Sequence, residues 1–168
     1  MIFDDRNTQR KLAKRVSGIW FFGLAGSGKS YASNIISEAS EMAFLVDGDD
    51  VREYVSTDLA YDLASREIQI GRIFGISMLA IKNGYFPIAS SVYMNEETLQ
   101  KCIVNGMVVI QIERPFGDIT PLRDIYENSS DVVGKDIKLP NIETRVLQND
   151  GSEVFRSQLL TILGELDC

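Results

Sequence analysis

The chain contains no histidine. That absence removes Ser-His-Asp and Cys-His catalysis, imidazole acid–base chemistry and histidine metal ligands. Its two cysteines, Cys102 and Cys168, form no C-x-x-C pair, which argues against a zinc site or a redox dithiol. No apolar run approaches the ~20 residues of a membrane span. The opening MIFDDRNTQRKLAKRV has no apolar h-region and is not expected to be a secretory signal. Positive charge is in the minority, 17 basic against 24 acidic residues, and a net charge of −7 argues against a bulk electrostatic nucleic-acid binder. What remains is an expected cytoplasmic protein with no nucleic-acid or membrane partner. Its chemistry must rest on carboxylates, Lys, Arg, Ser, backbone amides or a bound cation. At 168 residues, 45% apolar and 24% charged, the chain is one ordinary domain's worth.

Residues 1–17 read as a polar N-terminal arm with Arg6, Arg10, Lys11, Lys14 and Arg15 clustered, and residues 18–168 as the organised domain. Gly18 to Phe22 (GIWFF) is a short buried-strand signal. After a glycine-rich turn, Ala32, Ile35, Ile36 and Ala39 share one helical face. Ala43 to Val46 is a second apolar run, ending in Asp47-Gly48-Asp49. A long helix is expected from about Leu63 to Asn83, with Ile70, Ile73, Phe74, Ser77, Met78 and Ile81 inward and Asn83-Gly84 as its stop. Tyr85 to Ala89 is a strand candidate weakened by Pro87, which cannot donate within a ladder. Asn95 to Val104 reads as a helix and Met107 to Ile112 as a buried strand. Glu143 to Leu147 reads as a last strand, and Ser152 caps a final helix carrying Phe155, Leu159, Ile162, Leu163 and Leu166. Short apolar strands alternating with amphipathic helices predict a three-layer α/β/α fold around a mainly parallel sheet of about five strands. Ligands in such folds bind beyond the carboxyl ends of the strands. The turns after Phe22 and Val46, and Ser90-Ser91, fall at such ends.

Residues 23–30, GLAGSGKS, match G-x-x-x-x-G-K-[ST] between a strand and a helix. Glycines let backbone amides approach phosphate oxygens, and the helix behind them adds its free N–H groups and positive dipole end. Gly23, Ala25, Gly26, Ser27, Gly28, Lys29 and Ser30 are therefore the candidate ATP site. Lys29 would bridge the outer phosphates, and the Ser30 hydroxyl would bind Mg²⁺. The second strand ends in Asp47-Gly48-Asp49-Asp50-Val51-Arg52. One of these carboxylates can take a proton from an attacking hydroxyl or hold magnesium through water, and Arg52 can pair with a phosphate. An acidic strand-to-helix turn is also an ordinary helix cap.

Together, GLAGSGKS and DGDDVR resemble the adenylylsulfate kinases, P-loop kinases that move the γ-phosphoryl of ATP onto the 3′-hydroxyl of adenosine 5′-phosphosulfate. The likeness continues through DLAYDLASREIQIGR (Asp58 to Arg72), IERPF (Ile112 to Phe116), RDIY (Arg123 to Tyr126) and VVGKDI (Val132 to Ile137), over roughly residues 19–150. It implies a P-loop kinase. Lys29 and Asp47 would be catalytic, and Ser30 and Asp47 would be linked to the metal. Asp49, Arg52, Tyr61, Arg66, Gln69 and Ser91 would hold the acceptor nucleotide, with the Tyr61 ring stacked on its base. Arg123 would descend from a lid at about 116–139 onto the ATP side. Whether Asp47 or Asp49 is the base stays open. The resemblance also suggests a homodimer.

The departures from the family pattern fall on the acceptor and lid side. Gln69 stands where the family has Asn, and Gly71 replaces one arginine of a pair. Ser91-Val92-Tyr93-Met94 replaces SPYR, and the lid is about two residues shorter and lacks a lysine before Leu-Tyr. Replacing Arg by Met or Gly removes a bidentate anion partner. The expected acceptor is adenosine 5′-phosphosulfate. The alternatives are another nucleotide-linked acceptor, such as cytidine diphosphoramidate in capsule modification, or a non-catalytic nucleotide-binding module. A GTPase reading fails for want of an N-K-x-D segment. The negative net charge then requires a local positive field, from Lys29, Arg52, Arg66, Arg72 and Arg123 around one cleft.

Overall fold

The computed structural model describes residues 15–114 and 130–166. Most of the N-terminal arm, the lid from Phe116 through Arg123 to residue 129, and Cys168 lie outside them. In chain order the elements are β1 (Gly18–Phe22), α1 (Lys29–Glu38), β2 (Ala43–Asp47), α2 (Gly48–Tyr54), α3 (Leu63–Lys82), β3 (Phe86–Ser91), α4 (Glu96–Val104), β4 (Met107–Glu113), β5 (Arg145–Gln148) and α5 (Glu153–Leu166). The five strands form one sheet in the order β2-β3-β1-β4-β5. Every pairing between neighbours is parallel.

The alternation within each strand divides the core in two. Trp20, Phe22, Val46, Ala89 and Val109 face α3 and α4, meeting Ile70, Ile73, Leu99 and Cys102. Ile19, Phe21, Ile88, Ile110 and Leu147 face the other way, onto Ala32 and Ile36 of α1 and Phe155, Leu159 and Ile162 of α5. The result is the expected three-layer α/β/α sandwich, with GIWFF at its centre buried on both faces. Trp20 is wholly buried, and truncating it to alanine is expected to cost ~3–5 kcal/mol. The Cys102 thiol is pushed up to about 12 by burial and is an inert packing group.

Three details differ from the sequence reading, and one adds to it. Phe44 and Leu45 of the second apolar run are exposed, with β2 at the edge of the sheet. Strand β3 lies inside the sheet despite Pro87. The proline sits near the strand's start, and its ring lies over Gly18 of β1, where a Cβ would come within 2.7 Å of Pro87 Cγ. Ser90 and Ser91 are the last two residues of β3 rather than a turn beyond it. Ala39 is exposed, because α1 ends at Glu38 and Ala39 is its C-cap.

Candidate active site

The turn after β1 and the tips of β2 and β3 meet on one edge of the sheet. Gly23 donates its amide to the Ser91 carbonyl at 3.2 Å, tying the glycine-rich loop to the end of β3. The loop closes on itself through Ser27 N to Leu24 O at 3.1 Å. Gly28 is the N-cap of α1 in a left-handed conformation (φ 106°), and a Cβ there would lie 2.4 Å from Asn149 Nδ2. Both facts require glycine. The first turn of α1 leaves its backbone amides free to bind an anion.

Lys29 donates from Nζ to the Gly23 and Leu24 carbonyls, at 2.7 and 2.9 Å. An ammonium has three donors, so one remains for a phosphate. Burial lowers the Lys29 pKa to about 8, against the opposing pull of the Asp49 and Asp47 charges. Asn149, from the turn between β5 and α5, donates to the Ser27 carbonyl at 2.8 Å and accepts from Gly151 N at 3.0 Å. It is 6% exposed and braces the loop from the far end of the chain. Nothing in the sequence marks Asn149 as a partner of Ser27; only the packing of α1 against α5 does.

Asp47 ends β2 and is the N-cap of α2, so strand passes into helix without a loop. Its Oδ1 accepts from Asp49 N at 2.8 Å and its Oδ2 accepts from Ser90 Oγ at 2.8 Å. Gly48 follows because a Cβ there would lie 2.8 Å from the Ser90 carbonyl oxygen. The cap reading of Asp47 therefore holds, and its second oxygen faces the neighbouring strand. Beside it opens a cavity of about 180 Å³ lined by Ser30, Ser33, Asn34, Asp47, Asp50 and Ser90 over a floor of Leu45 and Ile88. The Ser33 hydroxyl on this wall and the Ser27 hydroxyl in the loop are buried without partners. Every polar donor around the cavity is an oxygen or an amide, with two carboxylates and no cation. That set fits a hard divalent ion that keeps most of its own water, with Ser30 and Asp47 nearest the phosphate loop. Among the described residues no cluster of three or more His, Cys, Asp or Glu exists that would hold a metal unaided.

Two of the acceptor candidates, Arg52 and Arg66, gather around Tyr61, a residue 59% exposed. The Arg52 guanidinium lies 4.5 Å from the ring centroid and that of Arg66 5.7 Å. Arg52 Nη1 donates to the Ala60 carbonyl. Arg66 donates to the Tyr61 and Asp131 carbonyls at 2.8 and 2.9 Å. Burial lowers both pKa values, and for Arg66 the like charge of Arg52 adds to it. Neither forms an ion pair with a carboxylate among the described residues, so two guanidinium groups flank one ring with charge to spare for an anion. Asp131 holds φ 57° and immediately precedes the VVGKDI stretch, whose Val133 and Ile137 pack in one cluster with Leu24 of the phosphate loop. The end of the lid region thus touches both halves of the site.

Two candidates, Ser91 and Arg72, stand differently from the sequence reading. The Ser91 hydroxyl accepts from Trp20 Nε1 at 2.9 Å and donates to the Tyr93 carbonyl at 2.7 Å, so its hydrogen is committed inside the protein. Its neighbour Ser90, which the sequence reading does not single out, reaches Asp47 instead. Arg72 makes a two-pronged pair with Asp58, which holds that carboxyl down at about 2, so its charge is spent there rather than in the cleft. Gln69 donates Nε2 to the Gly48 carbonyl at 2.9 Å, and its buried Oε1 has no partner. Asp49 is exposed at the start of α2, close enough for its charge to act on Lys29. Arg123 lies outside the described residues.

The comparisons with known proteins bear on the same region. The family model described as adenylylsulphate kinase matches residues 15–113. An adenylyl-sulfate kinase of Deinococcus deserti is 33% identical over 113 residues, covering 64% of this chain and 62% of that protein. One from Buchnera aphidicola is 37% identical over 84 residues, 46% of this chain and 40% of that protein. The matches thus span roughly 40–62% of the length of these curated relatives. Among solved structures, the APS kinase of Mycobacterium tuberculosis in complex with AMPPNP and APS superposes with a TM-score of 0.76 at 21% identity, covering 92% of this chain and 99% of that one. This last likeness speaks for the fold alone. With the family model matched over more than half of the sequence, from the strand before the phosphate loop to the end of β4, the chain belongs to the adenylylsulphate kinase family.

Proposed function

We propose that this protein is a P-loop kinase that transfers the γ-phosphoryl group of Mg-ATP to a hydroxyl of a nucleotide-type acceptor, the 3′-hydroxyl of adenosine 5′-phosphosulfate by family default. The observation that carries the reading is the join of two strand ends: the loop that holds Lys29 is tied to the end of β3 through Gly23 N and the Ser91 carbonyl, and Ser90 beside it holds Asp47. A phosphate-binding cation and a hydroxyl-facing carboxylate in one cleft are what phosphoryl transfer requires.

In this reading Gly23, Ala25, Gly26, Ser27, Gly28 and the start of α1 hold the triphosphate through backbone amides. Ser30 and Asp47 are the residues that would hold Mg²⁺, which when bound neutralises charge between the outer phosphates. Lys29 follows the charge of the transferring group. Asp47 accepts the proton of the acceptor hydroxyl while its oxygen forms the new bond to phosphorus and the bond to the ADP oxygen breaks. Tyr61 stacks on the acceptor base, and Arg52 and Arg66 take its phosphate. Arg123 and the lid at 116–139 cover the ATP side. Little covalent chemistry falls to the protein, and positioning and electrostatics supply the rate.

A second acceptor class is favoured by one set of observations. Where the family pattern has arginines, Gly71 is exposed with nothing near it and Met94 is wholly buried in the core. The unpartnered Gln69 Oε1 calls for a hydrogen-bond donor, and a sulfate offers only acceptors. A nucleotide whose terminal group carries N–H, such as cytidine diphosphoramidate, meets both conditions. The test is product analysis by ³¹P NMR after incubation with Mg-ATP and each acceptor. A new phosphomonoester signal with one acceptor and not the other identifies the class. No new ester with either, while ATP binds, contradicts the kinase reading and leaves a nucleotide-binding module.

A further inference from the structure

Ser90 is 3% exposed at the end of β3 and lies opposite Asp47 in the parallel register of β2 and β3. Residues paired in this way point to the same face of the sheet. Here that face carries the cavity which both residues line. Ser90 donates its hydroxyl to Asp47 Oδ2 at 2.8 Å, while Oδ1 of the same carboxylate accepts from Asp49 N at 2.8 Å. One oxygen is thus held by the neighbouring strand and the other by the first turn of the next helix. A carboxylate pinned at both oxygens cannot rotate freely about its side-chain bonds. The backbone is pinned too, because Gly48 comes up against the Ser90 carbonyl.

We propose that Ser90 is a positioning residue for phosphoryl transfer, holding the Asp47 carboxylate in the one orientation that meets the acceptor hydroxyl. The inference rests on the kinase reading above, with Asp47 as the proton acceptor. Ser90 itself touches neither ATP nor acceptor in this account. Its hydroxyl acts only through Asp47, which separates it from Ser91, whose hydroxyl serves Trp20 and Tyr93. Losing the bond frees one oxygen of Asp47 to swing, and small errors in placing a reacting group are costly in rate.

The experiment is a double-mutant cycle read by ADP release with Mg-ATP and whichever of adenosine 5′-phosphosulfate or cytidine diphosphoramidate turns over. Ser90→Ala is expected to lower kcat ~10- to 100-fold, the range for a hydrogen bond to a charged group. The KM for ATP should stay within about twofold, because the loop amides are untouched. Ser90→Thr keeps the hydroxyl and should recover most of the rate. In an Asp47→Asn background, Ser90→Ala should cost little further in kcat, since residues that act through one another are not additive. Thermal melts of each variant keep a folding defect from passing for a kinetic one. A wild-type kcat in Ser90→Ala, no recovery in a folded Ser90→Thr, or an equal fall in both backgrounds overturns the proposal. An unchanged kcat in Asp47→Asn alone would instead remove the reading it rests on.

Discussion

The two halves of the cleft are held in different ways. The phosphate loop is tied to β3 through Gly23, to the β5–α5 turn through Asn149, and to its own lysine through two carbonyls. Leu24 seats it in a core cluster. The half proposed for the acceptor is a partly exposed assembly, in which Arg52 and Arg66 stand beside Tyr61 and, among the described residues, are held by backbone carbonyls. A preorganised cradle of backbone amides suits a phosphate group, whose charge it meets without rearrangement. Partly exposed side chains held by few bonds are easier to retune by substitution than a loop tied at several points.

The sharpest way to break this comparison is to disable each half and see which kinetic constant moves. Lys29→Ala should abolish measurable turnover, a loss of at least ~10³-fold, with the fold intact by circular dichroism. Asp47→Asn should lower kcat ~10²- to 10³-fold while ATP affinity by calorimetry changes little. An Asp47→Asn enzyme that loses ATP affinity instead would make Asp47 a binding residue. Tyr61→Ala should raise the acceptor KM ~10- to 100-fold, the worth of one base stack at ~1–3 kcal/mol, with the ATP KM unmoved. Asn149→Ala should do the reverse. Leaving the Ser27 carbonyl short of a partner costs ~1–3 kcal/mol and should raise the ATP KM several-fold with the acceptor KM unchanged.

The last expected effect concerns pH. The Lys29 pKa, lowered to about 8 by burial, means the free protein loses this positive charge as pH rises through about 8. Binding of ATP needs the protonated amine, so above that pH a proton must be taken up on binding. Affinity should then fall by up to ~10-fold per pH unit until the bound form also titrates. The same titration in Lys29→Ala should be flat over that range.

Much of this was legible from residue order. Strand–turn–helix alternation predicted the layers, and GLAGSGKS marked the loop, because local spacing alone carries both signals. Element ends were less secure. Strand β3 runs on through Ser91 past a proline that Gly18 accommodates, a fact of register rather than of sequence. The exposure of Phe44 and Leu45 depends on β2 being an edge, which no local pattern encodes. Within the site, the division of labour between Ser90 and Ser91 follows from which face each occupies once β3 is placed. The brace from Asn149 joins residues 122 apart in sequence. Arg72 read as a cleft cation because its partner Asp58 lies 14 residues earlier, in the loop before α3, rather than beside it.

One measurement bears most directly on the central claim. ADP release is followed with Mg-ATP alone and with adenosine 5′-phosphosulfate, cytidine diphosphate derivatives, nucleoside monophosphates and simple sugars in turn. The account predicts that a nucleotide carrying a second anionic or amidated group raises ADP release well above the ATP-only rate, and that sugars do not. ATP binding with no acceptor raising the rate, or a sugar as the preferred acceptor, would contradict it.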